Sequence, residues 1–167
     1  MIFDGANGVG AIAMNGLLKS ISKLDEDIIQ VQMFNGQVDN GDLLNSNCGA
    51  DFVKVGQRAP ENIPADKMKR CVSVDGDADR VVFYYNDNQG HFRLLDGDRI
   101  ATLIAGFIKD LLSQSGLDLN LGLVQTAYAN GGSTNYITTK LNVPVACVPT
   151  GVKHLHHKAL DFDIGNV

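Results

Sequence analysis

Two hydrophobic patterns alternate along the chain, and together they predict an α/β fold. Apolar runs of strand length occur at 1–4, 27–34, 71–74, 81–85 and 91–95. The first run is followed by apolar residues at helical spacing: Val9, Ile12, Leu17, Leu18, Ile21 and Leu24. Period-two alternation is typical of strands, and a spacing of three or four residues is typical of helices. Positions 35–70 are rich in Asn, Gly, Asp and Pro, which predicts an irregular connection with one short helix.

The second part of the chain begins with the clearest helical pattern. One broad apolar face is predicted from Ile100, Leu103, Ile104, Phe107, Ile108, Leu111 and Leu112. Asp98 stands at its start as a predicted N-cap. A strand at 121–127, a helix near 133–141, a strand at 143–148 and a helix near 152–160 follow. We therefore predict a mixed-sheet α/β domain with packed helices at 1–98, and a second, truncated α/β domain at 99–167.

Composition narrows the class of protein. The chain has 167 residues, a net charge of −5 and a pI of about 5.2, which argues against a general nucleic-acid binder. No apolar run approaches the roughly 18 residues of a transmembrane helix, and the N-terminus lacks the regions of a signal peptide. The cysteines are widely spaced and odd in number. Cys71 and Cys147 lie in apolar runs, so we expect buried thiols and a cytoplasmic location.

The most acidic stretch is CVSVDGDADRVVFYY, which places aspartates at 75, 77 and 79 with Arg80 behind them. Neighbouring carboxylates repel one another unless solvent or a cation relieves the repulsion. The stretch is therefore a hydrated turn or a site for a hard cation such as Mg²⁺ or Ca²⁺. An EF-hand loop is excluded, because its glycine and glutamate positions hold Arg80 and Asn86.

A phosphatase of the haloacid-dehalogenase type is a second interpretation of the same stretch. In that class an apolar strand precedes D-x-D, so Asp75 is the nucleophile and Asp77 the acid/base. This interpretation leaves Asp79 and Arg80 without a role, and no later acidic pair completes its metal site. It stays open as an alternative.

Six segments, in order, resemble one enzyme superfamily. They are DGANGVGA, NCGADFVK, DGDADRVVFYY, LLDGDRIATLI, VQTAYANGGSTNY and TGVKHLHHKALDFDIG. DGDADR resembles the metal loop of the α-D-phosphohexomutases, while CGADFVK and TGVKHLHHKA point to the phosphoacetylglucosamine mutase branch. The resemblance runs essentially end to end and implies the second domain and the first part of the third domain of a four-domain enzyme. Another phosphohexomutase, acting on glucose or mannose phosphates, is the alternative within the superfamily.

The resemblance also implies a reaction and a set of residues. The parent enzyme interconverts N-acetylglucosamine 6-phosphate and 1-phosphate through a phosphoserine and a bisphosphorylated sugar, towards UDP-N-acetylglucosamine. Asp75, Asp77 and Asp79 would each give one oxygen to Mg²⁺. Arg80 would contact the transferring phosphoryl group, although an ion pair with the same aspartates is the plainer alternative. The segment TGVK, with Thr150, Gly151 and Lys153, would bind the phosphorylated amino sugar.

Parts of the family pattern lie outside the chain, which limits what the chain does alone. The serine-containing loop, the sugar-selecting E-x-N-G-H-G loop and the C-terminal phosphate-binding domain are not among its segments. We expect the chain to need these missing domains as partners, to be inactive alone and to bind Mg²⁺ weakly, in the millimolar range. A binding module without turnover is a further hypothesis, and no nucleic-acid or membrane partner is expected.

Three other features have plainer interpretations. His154 and His157 share a predicted helix face, and His156 lies between them, but no further ligand at a suitable spacing supports a zinc site. The cluster Asp96–Arg99 is interpreted as a helix cap. The glycines of DGANGVG are interpreted as turn residues between a strand and a helix, because the P-loop Lys-Ser/Thr is absent.

Overall fold

The computed structural model describes residues 1–23, 29–64 and 66–167. Its contacts divide the chain into two compact units, Met1–Asp96 and Gly97–Val167, which are called unit 1 and unit 2 below. The predicted domains at 1–98 and 99–167 stay a prediction, since contacts define compact units rather than independently folding domains.

Unit 1 is built on a five-stranded mixed sheet in the order β2-β1-β3-β4-β5. Its strands are β1 Ile2–Asp4, β2 Gln32–Phe34, β3 Cys71–Val74, β4 Val81–Asn86 and β5 Phe92–Leu95. Strand β1 runs parallel to β2 and β3, while β4 is antiparallel to both β3 and β5. The helices are α1 Val9–Ile21 and α2 Gly49–Gly56, with a single 3₁₀ turn at Gly41–Leu43. The predicted mixed-sheet α/β class is confirmed.

Strand β3 is buried on both faces, which explains its nearly continuous apolar sequence. On one face, Cys71 belongs to a core cluster that includes Ile2 of β1 and Val53 of α2. On the other face, Val72 and Val74 pack with Phe3, and Met14 of α1 lies against them. Helices on opposite faces therefore hold β3 at the centre of unit 1, so the loop that follows it starts from a fixed point.

Unit 2 contains a three-stranded parallel sheet in the order β7-β6-β8. Its elements are α3 Gly97–Ser115, β6 Leu121–Thr126, α4 Gly131–Thr139, β7 Val145–Val148, α5 Val152–Ala159 and β8 Ile164–Asn166. Leu121 and Leu123 of β6 pack with Ala105 of α3 and Ile137 of α4 to form its core. The β-α-β-α order matches the pattern predicted for this half.

Several predicted elements differ in extent from the observed helices and strands. The strand expected at 27–34 covers only Gln32–Phe34, and residues 24–28, with Leu24, lie outside the described part of the chain. The strand β8 was not predicted, because three residues are too few to show alternation. Its pairing with β6 makes it a strand, and the buried Asn166 side chain donates a hydrogen bond to the Ala101 carbonyl at 2.9 Å.

The apolar face predicted for α3 is divided between the core and the surface. Ile108 and Leu112 pack against the core of unit 2, whereas Leu103 and Phe107 are 64% and 62% exposed. Helix α1 shows a similar departure, since Val9, Ile12 and Leu17 are exposed and its buried residues are Gly10 and Ala11. Both units thus carry apolar helix surface outside their own cores.

The predicted N-cap at Asp98 is wrong. Helix α3 begins at Gly97, so Asp98 lies within its first turn. Its carboxylate accepts a hydrogen bond from the backbone N–H of Asn130 at 2.9 Å, just before α4. The side chain therefore connects two helices of unit 2, and the residue that precedes α3 is Asp96.

Two of the three cysteines are buried, as one of the two burial predictions expected. Cys48 and Cys71 are buried free thiols, and burial raises the pKa of each to about 11. The prediction that Cys147 is buried is wrong, because β7 is an edge strand and this side chain is exposed. Within the described ranges, no helix has both the length and the apolar character needed to cross a membrane.

Candidate metal centre

The acidic loop 75–80 joins two antiparallel strands of unit 1, β3 and β4. Val74 and Val81 form the last strand pair before it. The Asp75 N–H donates to the Arg80 carbonyl at 3.3 Å, and the Ala78 N–H donates to the Asp75 carbonyl at 3.1 Å. Ala78 has a φ of +60°, in the left-handed region, which turns the chain tightly. The loop is thus a compact, internally bonded hairpin connection.

The loop brings the carboxylates of Asp75, Asp77 and Asp79 together. One oxygen from each lies within 4.8 Å of the others. Asp75 is buried and the other two are exposed, so the group opens to solvent on one side. Across the described ranges, no other group of three His, Cys, Asp or Glu side chains has this arrangement. Three converging carboxylate oxygens suit a hard divalent cation.

Arg80 holds the buried aspartate in its charged form. Its Nε donates to Asp75 Oδ2 at 2.7 Å, and its backbone N–H donates to Asp75 Oδ1 at 3.1 Å. Burial alone would raise the pKa of Asp75, but the backbone and side-chain hydrogen bonds from Arg80 outweigh it and lower this pKa below its usual value. Asp75 is therefore a fixed anion at the base of the cluster.

The pKa of Asp79 reflects the repulsion among the three carboxylates. Repulsion from Asp77, with smaller contributions from partial desolvation and from Asp75, raises the pKa of Asp79 above its usual value. Arg80 Nε is 3.7 Å from Asp79 Oδ1 and opposes this shift only in part. A cation among the carboxylates would remove the repulsion, because it favours the charged form of each.

Arg80 has a second carboxylate partner, on helix α2. Its Nη1 lies 2.5 Å from Asp51 Oδ1 and 2.6 Å from Asp51 Oδ2. The hydrogen bonds that Arg80 donates to Asp75 and then to Asp51 are the main reasons that the pKa of Arg80 is raised. The plain ion pair considered for Arg80 is thus present, and it includes a residue that the sequence did not single out.

A buried aspartate beneath the loop was also missed from the sequence. Asp4 is fully buried at the end of β1, and Asp4 Oδ2 accepts from the Gly49 N–H at 2.8 Å and the Ser73 hydroxyl at 2.7 Å. Asp4 Oδ1 accepts from the Ala6 N–H and from Asn35 Nδ2. The signal in the sequence was an acidic residue at the end of a short apolar run. Asp4 ties β1, α2 and β3 together beneath the acidic loop.

The segment predicted to bind the sugar phosphate lies in unit 2, between β7 and α5. Thr150, Gly151 and Lys153 are all exposed. Gly151 precedes α5 with a φ of +130°, and its carbonyl accepts from the N–H groups of His154 and Leu155. The first turn of α5 thus follows a parallel strand directly, a junction at which backbone N–H groups suit an anion. These residues belong to a different unit from the aspartates.

The parallel sheet of unit 2 has a cavity of about 200 Å³ at the carboxyl end of β6. Gln125, Thr126 and Ser133 supply polar lining, and Leu123 and Ile137 supply apolar lining. Leu155 is the residue of α5 that reaches it, so Lys153 is not part of its wall.

The His156 and His157 rings lie 6.5 Å apart, and no described cluster of metal-ligating side chains includes them.

Comparison with protein families gives consistent matches for both units. The family described as "Phosphoacetylglucosamine mutase AMG1, domain II" matches residues 1–82, and "Phosphoacetylglucosamine mutase AMG1, domain III" matches residues 96–167. The chain belongs to the phosphoacetylglucosamine mutase family. The resemblance inferred from the sequence is confirmed.

Relatives in this family are similar along almost the whole chain. Human phosphoacetylglucosamine mutase is 52% identical over 162 residues, which is 97% of this chain and 29% of the human protein. The Saccharomyces cerevisiae protein of the same name is 48% identical over 169 residues, covering 99% of this chain and 30% of that protein. The chain thus spans less than a third of the length of these relatives.

Solved structures agree with the fold. Aspergillus fumigatus N-acetylphosphoglucosamine mutase, in complex with GlcNAc-6P and magnesium, matches with a TM-score of 0.89 and 51% identity over 98% of this chain and 33% of that one. An apo N-acetylglucosamine-phosphate mutase of the alpha-D-phosphohexomutase superfamily matches with a TM-score of 0.90 and 48% identity, over 98% of this chain and 36% of that one. A putative Thermus thermophilus phosphomannomutase, 18% identical with a TM-score of 0.55, shows the fold alone.

Proposed function

We propose that the protein containing this chain interconverts N-acetylglucosamine 6-phosphate and N-acetylglucosamine 1-phosphate, and that the chain supplies its metal-binding loop. The observation that carries the proposal is the convergence of Asp75, Asp77 and Asp79 beside Arg80. Membership of the phosphoacetylglucosamine mutase family and the sugar phosphate bound by the Aspergillus relative support the choice of substrate.

The three carboxylates fit Mg²⁺. Their oxygens lie within 4.8 Å of one another, and Mg²⁺ prefers oxygen ligands and keeps part of its water shell. When bound, the ion neutralises negative charge that develops as a phosphoryl group is transferred. The buried Asp75 would anchor one ligand position, and the exposed Asp77 and Asp79 would complete the protein's share. The magnesium in the Aspergillus structure supports this assignment.

Arg80 would bind the phosphoryl group that is transferred. Its Nε and Nη1 already contact Asp75 and Asp51, so the guanidinium is held beside the carboxylate cluster before substrate arrives. A guanidinium donates charge-assisted hydrogen bonds to phosphoryl oxygens, and a group fixed in advance loses little entropy on binding. Its part in the reaction is to orient the phosphoryl group and to balance its charge.

Unit 2 would help to bind the phosphorylated amino sugar. Thr150 and Gly151 bring the chain from β7 to the first turn of α5, where backbone N–H groups favour an anion. Lys153 adds a cation in that turn. We assign this segment to the phosphorylated amino sugar on the family resemblance and on this junction geometry.

The remaining chemistry belongs to parts of the parent protein outside this chain. We infer that a phosphoserine donates its phosphoryl group to the sugar, that a bisphosphorylated sugar forms, and that the other phosphoryl group returns to serine. The chain alone is expected to be inactive, with Mg²⁺ affinity in the millimolar range, because the phosphoserine oxygen that would be the fourth ligand of the ion is not part of this chain. A cytoplasmic location and use of the product for UDP-N-acetylglucosamine synthesis are part of the same proposal.

The proposal is tested with the full-length protein and a variant of one exposed ligand. ³¹P NMR follows the conversion of N-acetylglucosamine 6-phosphate to the 1-phosphate in the presence of Mg²⁺. Asp77→Asn is expected to lower kcat about a hundredfold or more, because a charge-stabilising ligand is lost. Asp161→Asn, which removes an exposed carboxylate 2.6 Å from Lys158, is the matched control and should keep full activity.

The 167-residue chain itself separates the alternatives. Isothermal titration should give weak Mg²⁺ binding, and a phosphate-ester assay should give no turnover. If the chain alone hydrolyses phosphate esters and loses this activity in Asp75→Asn, the phosphatase interpretation is correct and the mutase proposal is wrong. Full-length protein that converts glucose or mannose phosphates but not the acetylated sugar would assign it to another phosphohexomutase activity.

A further inference from the structure

We propose that Asp51 is a positioning residue that holds Arg80 in place at the metal loop. Arg80 Nη1 contacts both oxygens of Asp51, at 2.5 and 2.6 Å, while Nε contacts Asp75 Oδ2 at 2.7 Å. The guanidinium is planar, so contacts at two of its nitrogens fix both its location and its orientation. Asp51 thus completes a clamp whose other half is Asp75.

The helix that carries Asp51 is itself fixed against β3, the strand that leads into Asp75. Gly49, the first residue of α2, donates its N–H to the buried Asp4 carboxylate at 2.8 Å. It has a φ of +87°, and a Cβ there would lie 2.9 Å from the Ala6 Cβ and 3.1 Å from the Val74 carbonyl. The first turn of α2 is therefore packed directly onto the end of β3. Asp51 and the metal loop share one rigid support.

A simpler role for Asp51 would be to stabilise α2. An acidic side chain in the first helical turn interacts favourably with the helix dipole. An exposed ion pair also adds little stability, and the side chains of Arg80 and Asp51 are 58% and 61% exposed. These two roles differ in what they predict. A helix-stabilising residue affects the thermal midpoint with or without Arg80, while a positioning residue acts only through Arg80.

Loss of Asp51 would leave Arg80 close to two carboxylates of the metal loop. Asp75 would still hold Nε, and Asp79, 3.7 Å away, would become the nearest second partner. The guanidinium would then turn towards the loop and away from the place where it meets a phosphoryl group. The catalytic consequence rests on the proposed function, whereas the clamp itself rests on the geometry.

Chemical modification tests the clamp without any measurement of activity. Phenylglyoxal attacks the guanidine nitrogens, so the contacts of Nη1 with Asp51 and of Nε with Asp75 are expected to slow the reaction. In the full-length protein, Asp51→Asn should raise the modification rate of Arg80, followed by peptide mass spectrometry, about fivefold, because an exposed charged contact to Nη1 is lost. Glu61→Gln removes a more exposed charge, 3.9 Å from Arg58, and should leave the Arg80 rate unchanged. An unchanged Arg80 rate in Asp51→Asn overturns the clamp.

Kinetics of the same variants test positioning. Asp51→Asn is expected to lower kcat about tenfold with little change in KM or in the thermal midpoint, since misplacement of a contact group acts mainly on the reacting complex. Asp51→Glu, which keeps a carboxylate within reach, should recover most of kcat. In an Arg80→Ala background, Asp51→Asn should have no further effect. A full tenfold loss in that background would overturn the positioning role.

Different results would contradict the proposed function and the proposed role of Asp51. If the full-length protein does not interconvert the phosphates of N-acetylglucosamine, the proposed function is wrong, and the Arg80 modification rates still decide whether Asp51 holds the guanidinium. If interconversion is present and the Arg80 rate does not change in Asp51→Asn, the proposed function stands and the clamp is wrong.

Discussion

Gly8 lies directly against the backbone of Gly76, the second residue of the acidic loop 75–80. A Cβ at Gly8 would come within 2.1 Å of the Gly76 carbonyl oxygen, which accepts a hydrogen bond from the Val9 N–H at 3.0 Å. The start of α1 therefore supports the loop from below. The glycines of DGANGVG were predicted to serve a strand-to-helix turn, and at Gly8 the requirement is this close approach.

A methyl group at position 8 is expected to displace the acidic loop. Gly8→Ala must push Gly76 away, and the carboxylates on either side of it, Asp75 and Asp77, should then no longer converge. We expect Mn²⁺ affinity of the full-length protein, measured by electron paramagnetic resonance, to fall about tenfold or more. This corresponds to about 1.4 kcal/mol, a modest cost for backbone displacement in a packed site.

Gly16→Ala is the matched control for this substitution. Gly16 lies within the same helix, and no atom lies within 4 Å of a Cβ placed there. Alanine in a helix interior should stabilise the protein by about 0.5–1 kcal/mol relative to glycine. The control should therefore keep Mn²⁺ affinity and raise the thermal midpoint slightly. Equal affinities in Gly8→Ala and Gly16→Ala would show that the loop tolerates the displacement.

The convergence of the three aspartates in the acidic loop could be predicted from the sequence because its determinants are local. Two apolar strands flank three aspartates at alternate positions, so a short hairpin connection must bring Asp75, Asp77 and Asp79 near one another. Long helices were predicted for the same reason, since α3 repeats its apolar pattern over 19 residues. Local pattern is enough where one element or one turn defines the structure.

Long-range partners could not be predicted in this way. Asp51 is 29 residues from Arg80, and nothing in the local pattern of either distinguishes this pair from exposed charges elsewhere. Asp4 and Ser73, 69 residues apart, meet only because β1 and β3 are adjacent strands. Strand β8 likewise exists through its pairing with β6. These features depend on strand order and helix placement, which a single sequence pattern does not specify.

Asp4 is expected to be the most sensitive polar position in unit 1. Its carboxylate accepts four hydrogen bonds, from Ala6, Asn35, Gly49 and Ser73. Asp4→Asn replaces one acceptor oxygen by a donor that faces other donors, so buried groups lose their partners. We expect a loss of about 3 kcal/mol or more in stability, since unpaired buried groups each cost about 1–3 kcal/mol.

Hydrogen exchange measured by mass spectrometry localises the effect of Asp4→Asn to unit 1. Protection should fall in peptides that contain β1, β3 and the start of α2, while peptides of unit 2 keep theirs. Ser73→Ala removes one of the four hydrogen bonds and should cost only about 1 kcal/mol. If Asp4→Asn costs no more than Ser73→Ala, the four-bond network does not carry the stability assigned to it.

Asp87 is expected to make the stability of unit 1 depend on pH in the acid range. Its Oδ1 accepts from the N–H groups of Gln89 and His91 in the β4–β5 connection, and its Oδ2 is 2.8 Å from Arg93 Nη2. Partial burial would raise the pKa of Asp87, but the bonds from His91, Arg93 and Gln89 outweigh it and lower this pKa to about 2. An unfolded aspartate has a pKa of about 3.9.

The sign of the effect follows from these two pKa values. Between about pH 3.9 and 2 the unfolded state binds the proton more readily, so stability rises with pH in this window. The contribution of Asp87 is complete above pH 3.9 and is lost as the pH falls towards 2. In thermal melts of the chain, the thermal midpoint of Asp87→Asn should lie well below that of the wild type at pH 6 and approach it near pH 2. The midpoint of Arg93→Gln should differ less from the wild type at pH 6, because the backbone hydrogen bonds to Asp87 remain. A gap that stays constant with pH would contradict the assignment.

The two units are expected to behave differently when each is produced alone. Residues 1–96 contain two core clusters on opposite faces of a five-stranded sheet, so we expect a cooperative thermal transition and a monomer in sedimentation analysis. Residues 97–167 have a three-stranded sheet and one core cluster, and α3 exposes Leu103, Ile104, Phe107 and Leu111. Contiguous apolar surface of this kind favours association, so we expect this unit to form oligomers or aggregates.

Charge placed on the exposed side of α3 tests the cause of that association. Phe107→Lys puts a charge where the side chain is largely exposed, so unit 2 should keep its helical circular dichroism and become less associated. Ile108→Lys, one residue later, places the same charge against the core cluster and should unfold the unit, because an unpaired charge is costly to bury. If 97–167 is monomeric without substitution, or if Phe107→Lys leaves its association unchanged, the exposed face of α3 is not what drives association.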